Sequence, residues 1–416
     1  MSRTLLLLVV AALLFCSCSR QQKATGTLRH DAYVWQRSWN EQVIDAVSQR
    51  RTNFTALIVL QAEVIWRGGR PATVRVPLNF DALRASGCQV GLAMRIGAFA
   101  GPFVADDERG RFLTQLARSL LAEARTNRLS VSELQIDFDC AASKLDGYRV
   151  WVEAMRKAID PTPLTITTLP SWLKQPAFSR LVAATDGYVL QVHSLERPKN
   201  ADVSFALCDP ELAKQAVERA ARLRVPFRVA LPTYGYVLAF DPDGKFIGLS
   251  AEGPARHWPT ASILREVRAQ PEAMARLVRG WTRDRPDALG GVIWYRLPVA
   301  GDRLNWSWPT LASVMAGKNP AAKLRHELRN PQPGLAEIDL HNEGDGDYEG
   351  AVQLKARWSG ARLIASDGSQ GVETTDDGPN ALRFEARRLR LPASEFRSIG
   401  WLRLDKEVEV LIESNP

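Results

Sequence analysis

The chain predicts an α/β fold, a (β/α)8 barrel of the TIM type followed by a small C-terminal β-sandwich. Three observations carry that expectation. Eight short β-branched runs alternate with segments of helical period, which is the signature of a parallel sheet with helices outside. Those units occupy roughly 290 residues, the size one such barrel requires. Beyond about residue 318 of the 416 the helical period vanishes and alternation with Gly/Asp turns takes over.

The strands read in order as 32–37 (AYVWQR), 56–64 (ALIVLQAEV), 89–97 (QVGLAMRIG), 133–140 (ELQIDFDC), 164–170 (LTITTLP), 187–193 (GYVLQVH), 227–235 (FRVALPTYG) and 291–298 (GVIWYRLP). Amphipathic helices fit between them, from SWNEQVIDAVSQRR to PEAMARLVRGWTR, and a short PTLASVMAG closes the set. Asp209 before Pro210, and Ser171, read as helix starts, and Asp146 reads as an N-cap. An open doubly wound sheet is the alternative, but neither GxGxxG nor GxxxxGK[ST] occurs. One connection is long: after strand seven, DPDG lies between two apolar runs, so a hairpin is expected to be inserted at about 236–266. The barrel thus spans 19–317, a Pro/Asn-rich linker 318–334, and an immunoglobulin-like sandwich 335–416. A spacer role is the simpler expectation for the sandwich.

The first twenty residues, MSRTLLLLVVAALLFCSCSR, place a basic residue before an apolar run too short to span a bilayer, as in a secretory signal. They resemble a bacterial lipoprotein signal, which implies cleavage after residue 17 and lipidation of Cys18. The implied location is the cell envelope, on the outer membrane facing the periplasm, with the lipid anchor as the membrane contact. Cys88, Cys140 and Cys208 then remain, with Cys88 expected as a buried thiol just before strand three. Cys140 and Cys208 fall on loops at one end of the barrel, where either a disulfide or two buried thiols would fit.

The net charge of +8 is spread along the chain with no basic block, so nucleic acid is not an expected partner. His193 and His257 lack paired ligand spacing, no GxSxG elbow occurs, and no cofactor is called for.

Chemistry concentrates on strand four. Alternation puts Gln135, Asp137 and Asp139 on one face and Leu134, Ile136 and Phe138 on the other. The apolar set must pack on helices, so the polar set points into the barrel mouth, where active sites of this fold lie. Two neighbouring carboxylates raise each other's proton affinity, which suits a general acid. The competing expectation is a salt-bridge ladder with Arg37 or Arg95. Glu63, near the end of strand two, is a candidate second acid or base. Arg95, Gln135, Gln191 and His193 are candidate ligand-binding groups, and Trp35, Tyr234 and Tyr236 are candidate stacking aromatics.

The segment LQIDFDC resembles the strand-four signature of chitinase-like barrels of glycoside hydrolase family 18, in which alternating acids end in a catalytic Glu. The resemblance implies Asp139 as the acid and Asp137 as the inner Asp that polarises the substrate, and GGVIWY implies Trp294 as the floor of a sugar site. The insertion after strand seven agrees with that family. Asp stands here for Glu, Gln135 for the outermost Asp, and Gln191 with His193 for a Met-x-Tyr-Asp pattern. Over the whole chain, IDFDCAASKLDGY, LQVHSLERPK, LPTYGYVLAFDPDGKFIGLSAEG and IGWLRLD resemble an uncharacterised family of bacterial lipoproteins with a domain of unknown function. The expected partner is a polysaccharide, either hydrolysed or, on a degenerate barrel, only bound.

Overall fold

The structure, a computed structural model, describes residues 23–49, 53–251 and 257–414; the expected signal with Cys18 lies outside them. Eight strands form the barrel: β1 Arg29–Val34, β2 Ala56–Arg67, β3 Gln89–Ile96, β4 Val131–Phe138, β5 Leu164–Thr168, β6 Gly187–Gln191, β7 Phe227–Pro232 and β8 Leu289–Tyr295. Each pairs in parallel with its sequence neighbour, and β1 also pairs with β8, so the sheet closes without an edge. Eight helices cover it: α1 Glu41–Gln49, α2 Phe80–Ala85, α3 Glu108–Thr126, α4 Leu145–Ile159, α5 Pro176–Ala183, α6 Pro210–Ala221, α7 Pro271–Arg283 and α8 Trp308–Met315.

Period-2 alternation divides each strand between two cores. Tyr33, Ile58, Leu60, Ala93, Val189 and Ile293 fill the barrel interior. Val34, Leu57, Val59, Ile136 and Val292 pack beneath the helices. Each fully buried side chain of this size contributes about 1.5–3 kcal/mol, so a one-residue slip of any strand would exchange both cores at once. Helix α3 shows the complementary logic: Leu113, Leu116, Ala117, Leu120 and Ala124 recur at helical spacing on its buried side. Asp107 caps it, accepting from the Gly110 amide at 2.8 Å.

Asp209 caps α6 as expected, accepting from the Glu211 and Leu212 amides. Asp146 does not cap. It sits inside the first turn of α4 and receives two bonds from Arg180, at 2.8 and 3.0 Å. Ser171 likewise falls within a 3-10 turn, Pro170–Lys174, rather than at a helix start.

A salt-bridged floor closes the interior at the amino ends of the strands. Arg228 on β7 donates to Asp31 at 2.9 Å and to Glu133 at 2.7 Å, and Arg29 and Thr165 supply the remaining donors. Burial alone would disfavour the charge on Arg228, but Glu133 and Asp31 more than offset it and hold its proton firmly.

Three departures from the expected organisation stand out. Strand β2 runs on into a hairpin with Arg70–Arg75, turning through Gly68 and Gly69 at φ of 56° and 77°, values that L side chains rarely adopt. The insertion after β7 is a three-stranded sheet, Gly235–Phe240 flanked by Phe246–Ser250 and Ile263–Arg268, rather than a lone hairpin. Its DPDG turn forms as expected, with Asp241 accepting from the amides of Asp243 and Lys245. Gly235 is needed where this sheet leaves the barrel, since a Cβ there would lie 2.5 Å from the Val267 carbonyl oxygen. Finally, most of 318–334 is not a linker. Strand β9, Leu324–Gln332, occupies it, and Pro331 is tolerated because that strand is a sheet edge.

The sandwich adds β10 Leu335–Asn342, β11 Tyr348–Trp358, β12 Leu363–Gly368, β13 Glu373–Asp376, β14 Ala381–Leu391, β15 Phe396–Leu404 and β16 Val410–Ser414. One antiparallel sheet runs β9-β10-β15-β12 and the other β13-β14-β11-β16. Ile338, Leu354, Phe384 and Leu402 fill the space between them. The sandwich is tied to the barrel by Asp347, which accepts from the Ser307 amide at 3.0 Å, and by Arg390, which donates to the Asn305 carbonyl at 2.7 Å.

Candidate active site

A cavity of about 650 Å³ opens at the carboxyl ends of the barrel strands. Among the sequence-derived candidates, Trp35, Arg95, Asp137, Asp139, Gln191, His193, Tyr234 and Tyr236 line it, and Tyr33, Arg37, Thr167, Ser194 and Tyr295 join them. These residues come from seven strands and the turns after them, so only the closed barrel brings them together.

Asp137 is the inward residue next to the end of β4. One carboxylate oxygen accepts the Thr167 hydroxyl at 2.7 Å, and the other lies 3.6 Å from Arg95 Nε across the β3–β4 ladder. Burial pushes this carboxyl above the usual aspartate range; Arg95 opposes the shift and the Asp139 charge reinforces it. Asp139, one residue past the strand, is exposed to the cavity and makes no hydrogen bond or ion pair among the described residues. The mouth therefore holds one carboxylate that is packed and bonded beside another that is open.

Below this pair, Gln135 is fully buried and donates to the Tyr33 hydroxyl at 2.5 Å. It does not line the cavity, contrary to its expected role as a ligand-binding group; it braces an aromatic that does. Glu63 is also diverted. Both its oxygens accept from Arg37 at 2.8 Å, and it stands outside the cavity wall while Arg37 lines it. The expected acid or base is thus the clamp of an arginine, because the bidentate fork of guanidinium satisfies a carboxylate fully.

The aromatic floor differs by one residue from expectation. Trp294 is fully buried on the helix-facing side of β8, where its indole N–H donates to His30 at 3.2 Å and its ring meets Trp306. Tyr295, next along the strand, turns inward and packs on Trp35, Tyr33 and His193 at centroid distances of 5.5–5.7 Å. The Tyr295–Arg296 peptide is cis. A strand buried on both faces is apolar on both, so composition does not reveal which alternate set faces inward. The inward pair Tyr33 and Trp35 on β1, which share an edge-to-face contact, is the signal that could have exposed the parity.

Beside Tyr295 a chain of hydroxyls ends at an imidazole. Ser194 bonds Tyr236, Tyr236 bonds Tyr234 at 2.9 Å, and Tyr234 bonds His193 Nδ1 at 3.3 Å. Burial drives the His193 pKa down to about 3 and the Tyr234 phenol well above its ordinary value, so both are neutral at physiological pH. Gln191 donates to the His193 carbonyl at 3.2 Å.

No disulfide joins Cys140 and Cys208. Both are buried thiols outside any disulfide, pushed up to about 12 by burial, and Cys88 is a half-buried thiol that donates to the Phe54 carbonyl. Cys140 packs in the helix layer beside Trp172, whose indole donates to its carbonyl, rather than facing the loop that carries Cys208. No group of three or more His, Cys, Asp or Glu converges as a metal site among the described residues.

The closed eight-stranded parallel sheet with its outer helices defines a TIM-type (β/α)8 barrel carrying an inserted sheet after β7. The barrel is similar to the C-terminal domain of a putative chitinase from Desulfitobacterium hafniense DCB-2, with a TM-score of 0.51 at 10% identity over 70% of this chain and 99% of that one. It is also similar to the spore cortex-lytic enzyme SleL of Bacillus megaterium QM B1551, with a TM-score of 0.50 at 12% identity over 71% and 75% of the two chains. At such identity the likeness is one of fold. No curated protein matches the chain. Residues 104–300 match the family model of a domain of unknown function (DUF3142), a stretch that runs from the approach to α3 to the loop beyond β8 and includes Asp137, Asp139, His193, Tyr234 and Tyr295.

Proposed function

We propose that this protein binds a polysaccharide of the cell envelope or its surroundings in the barrel mouth and hydrolyses it with its carboxylate pair. The observation that carries the reading is an open, aromatic-walled cavity with Asp139 free at its surface and Asp137 beside it under a raised pKa. Burial favours the protonated form at Asp137, and Asp139, exposed in the cavity, has access to a glycosidic oxygen. Asp139 acts as the general acid and Asp137 as its partner, stabilising positive charge as the bond breaks. Tyr295, half-buried at the cavity with Tyr33 and Trp35 packed behind it, offers a ring for sugar stacking, and Arg37 and Arg95 offer donors for hydroxyl or acidic substituents. With Glu63 engaged by Arg37, the second function of an ordinary two-carboxylate hydrolysis falls to Asp137 or to the substrate itself. The protein is held at the outer membrane by a lipid on Cys18, a part of the proposal that rests on the amino-terminal sequence.

A second reading has its own observation. Two of the three candidate acids are already matched by arginine, Asp137 with Arg95 and Glu63 with Arg37, as in a barrel that holds a glycan without cutting it. The test is to incubate protein lacking residues 1–18, and its Asp139→Asn variant, with peptidoglycan, chitin oligosaccharides and acidic exopolysaccharides. Product release by the parent and none by the variant supports hydrolysis. Equal binding without products by both supports the second reading, and no binding by either removes both.

A further inference from the structure

We propose that His193 meets the ligand as a neutral hydrogen-bond donor, its Nε2–H tautomer being set by the hydroxyl chain Ser194–Tyr236–Tyr234. This rests on the reading of the barrel mouth as a glycan site and adds to it the identity of one recognition group and of the residues that position it. His193 is 3% exposed, lines the cavity, and stacks on Tyr295 with the ring planes 30° apart. Its Nδ1 is occupied by the Tyr234 hydroxyl, whereas Nε2 takes no partner among the described residues. A neutral imidazole has one N–H and one acceptor nitrogen, so the partner of Nδ1 decides what Nε2 presents.

The direction of the chain follows from donor and acceptor strength. Three hydroxyls carry three protons, and one end of their chain is an imidazole nitrogen, the most basic acceptor present. A phenol O–H is a stronger donor than a neutral imidazole N–H, and its delocalised lone pair is a poorer acceptor than the imidazole nitrogen, so Tyr234 donates to Nδ1; with one proton per hydroxyl, Tyr236 must then donate to Tyr234 and Ser194 to Tyr236. The stable arrangement therefore runs from Ser194 to Tyr236, to Tyr234, to Nδ1, each hydroxyl donating to the next. In the reverse arrangement a weak imidazole N–H would donate to a phenol, and a bare acceptor would face the cavity. Burial, which keeps His193 uncharged, supports the assignment. The chain also joins two segments that come together only at the mouth, the turn after β6 that carries Ser194 and the first strand of the inserted sheet that carries Tyr236. Tyr234 and Tyr236 are thus positioning residues, and the ligand atom before His193 is an acceptor oxygen.

The test begins without ligand. Histidine 15N spectra of the full chain, with His193 assigned through His193→Gln, are expected to show the Nε2–H tautomer from pH 5 to pH 8. In Tyr234→Phe the tautomer signature is expected to shift toward a mixture, with circular dichroism confirming the fold. An Nδ1–H tautomer or an imidazolium at pH 7 overturns the proposal, as does a Tyr234→Phe spectrum identical to the parent. In a second arm, chitin hexasaccharide and peptidoglycan fragments are titrated. His193→Ala is expected to weaken binding about tenfold, as loss of one buried hydrogen bond does, and His193→Gln, whose amide N–H can reach the Nε2 position, is expected to restore most of it. Equal binding by parent, Ala and Gln variants overturns the donor role while leaving the glycan site intact; failure of every protein to bind removes the glycan reading itself, and with it the donor role, while the tautomer result stands as a property of the fold.

Discussion

Replacing Arg228 by Met isolates the contribution of the ion network that closes the barrel floor. Arg228 is 12% exposed and joins Asp31, which is fully buried, to Glu133, which is 10% exposed at its side chain. After its removal Asp31 keeps Arg29 at 3.0 Å and the Ala56 amide at 3.0 Å, while Glu133 keeps only the Thr165 hydroxyl at 2.5 Å. Breaking a buried pair from one side costs about 3–5 kcal/mol because a charge is left without its partner; the surviving Arg29 contact puts the expectation near the lower end, about 3 kcal/mol. For a barrel of this size that corresponds to a fall in Tm of roughly 6–12 °C. Adding Glu133→Gln removes the stranded charge and keeps an acceptor for Thr165, so the double variant is expected to recover more than half of the loss. Denaturant midpoints at constant m, with melting curves beside them, are the assay. A single variant melting within about 2 °C of the parent, as surface ion pairs do, would refute the buried network. A double variant with no recovery would assign the loss to packing.

Three further outcomes test other parts of the structure. Trp294→Ala is expected to cost about 3–5 kcal/mol by emptying a packed site under the helices without changing glycan affinity, whereas Tyr295→Ala is expected to weaken binding at least tenfold; the reverse pattern in titrations and melts would restore Trp294 as the floor. His193 and His30 have burial-lowered pKa values of about 3 and about 4, so the unfolded chain binds their protons first: their contribution to stability is whole above the unfolded value near 6.5 and is lost as pH falls toward those values. Acid titration of stability is therefore expected to fall by about 2–3 kcal/mol per pH unit between pH 6 and pH 4, and to lose roughly half of that slope in His193→Gln; an unchanged slope contradicts the burial. In protein lacking residues 1–18, three thiols are expected to react per chain in denaturant, with Tm unaltered by reducing agent, and a thiol count of one would reinstate the Cys140–Cys208 bridge.

The barrel was legible because its strands and helices carry their periods locally. The expected segments around β2, β3, β5 and β7 begin at the same residues as the strands, and α7 matches throughout, since Leu, Val and Trp at helical spacing have few other ways to be buried. The carboxylates at 137 and 139 were legible for the same reason: charge in an apolar strand is costly and stands out. Gln135 and Glu63 were harder. Nothing local in Gln135 indicates that Tyr33, 102 positions away, takes its amide, or in Glu63 that Arg37 fills both its oxygens. Glu133 went unremarked because its partner Arg228 lies 95 residues downstream.

By itself the chain determined an eightfold alternation, the end of the barrel that would carry chemistry, and the two acids of strand four. Period and polarity are properties of neighbours in sequence, and those features need nothing else. Tertiary structure alone decided that Tyr295 rather than Trp294 faces the mouth, that the cysteines stay apart, and that Asp139 is open while Asp137 and Glu63 have arginine beside them. These depend on the parity of strands apolar on both faces and on which distant side chains meet when β1 closes against β8. A linear pattern of hydrophobicity contains neither.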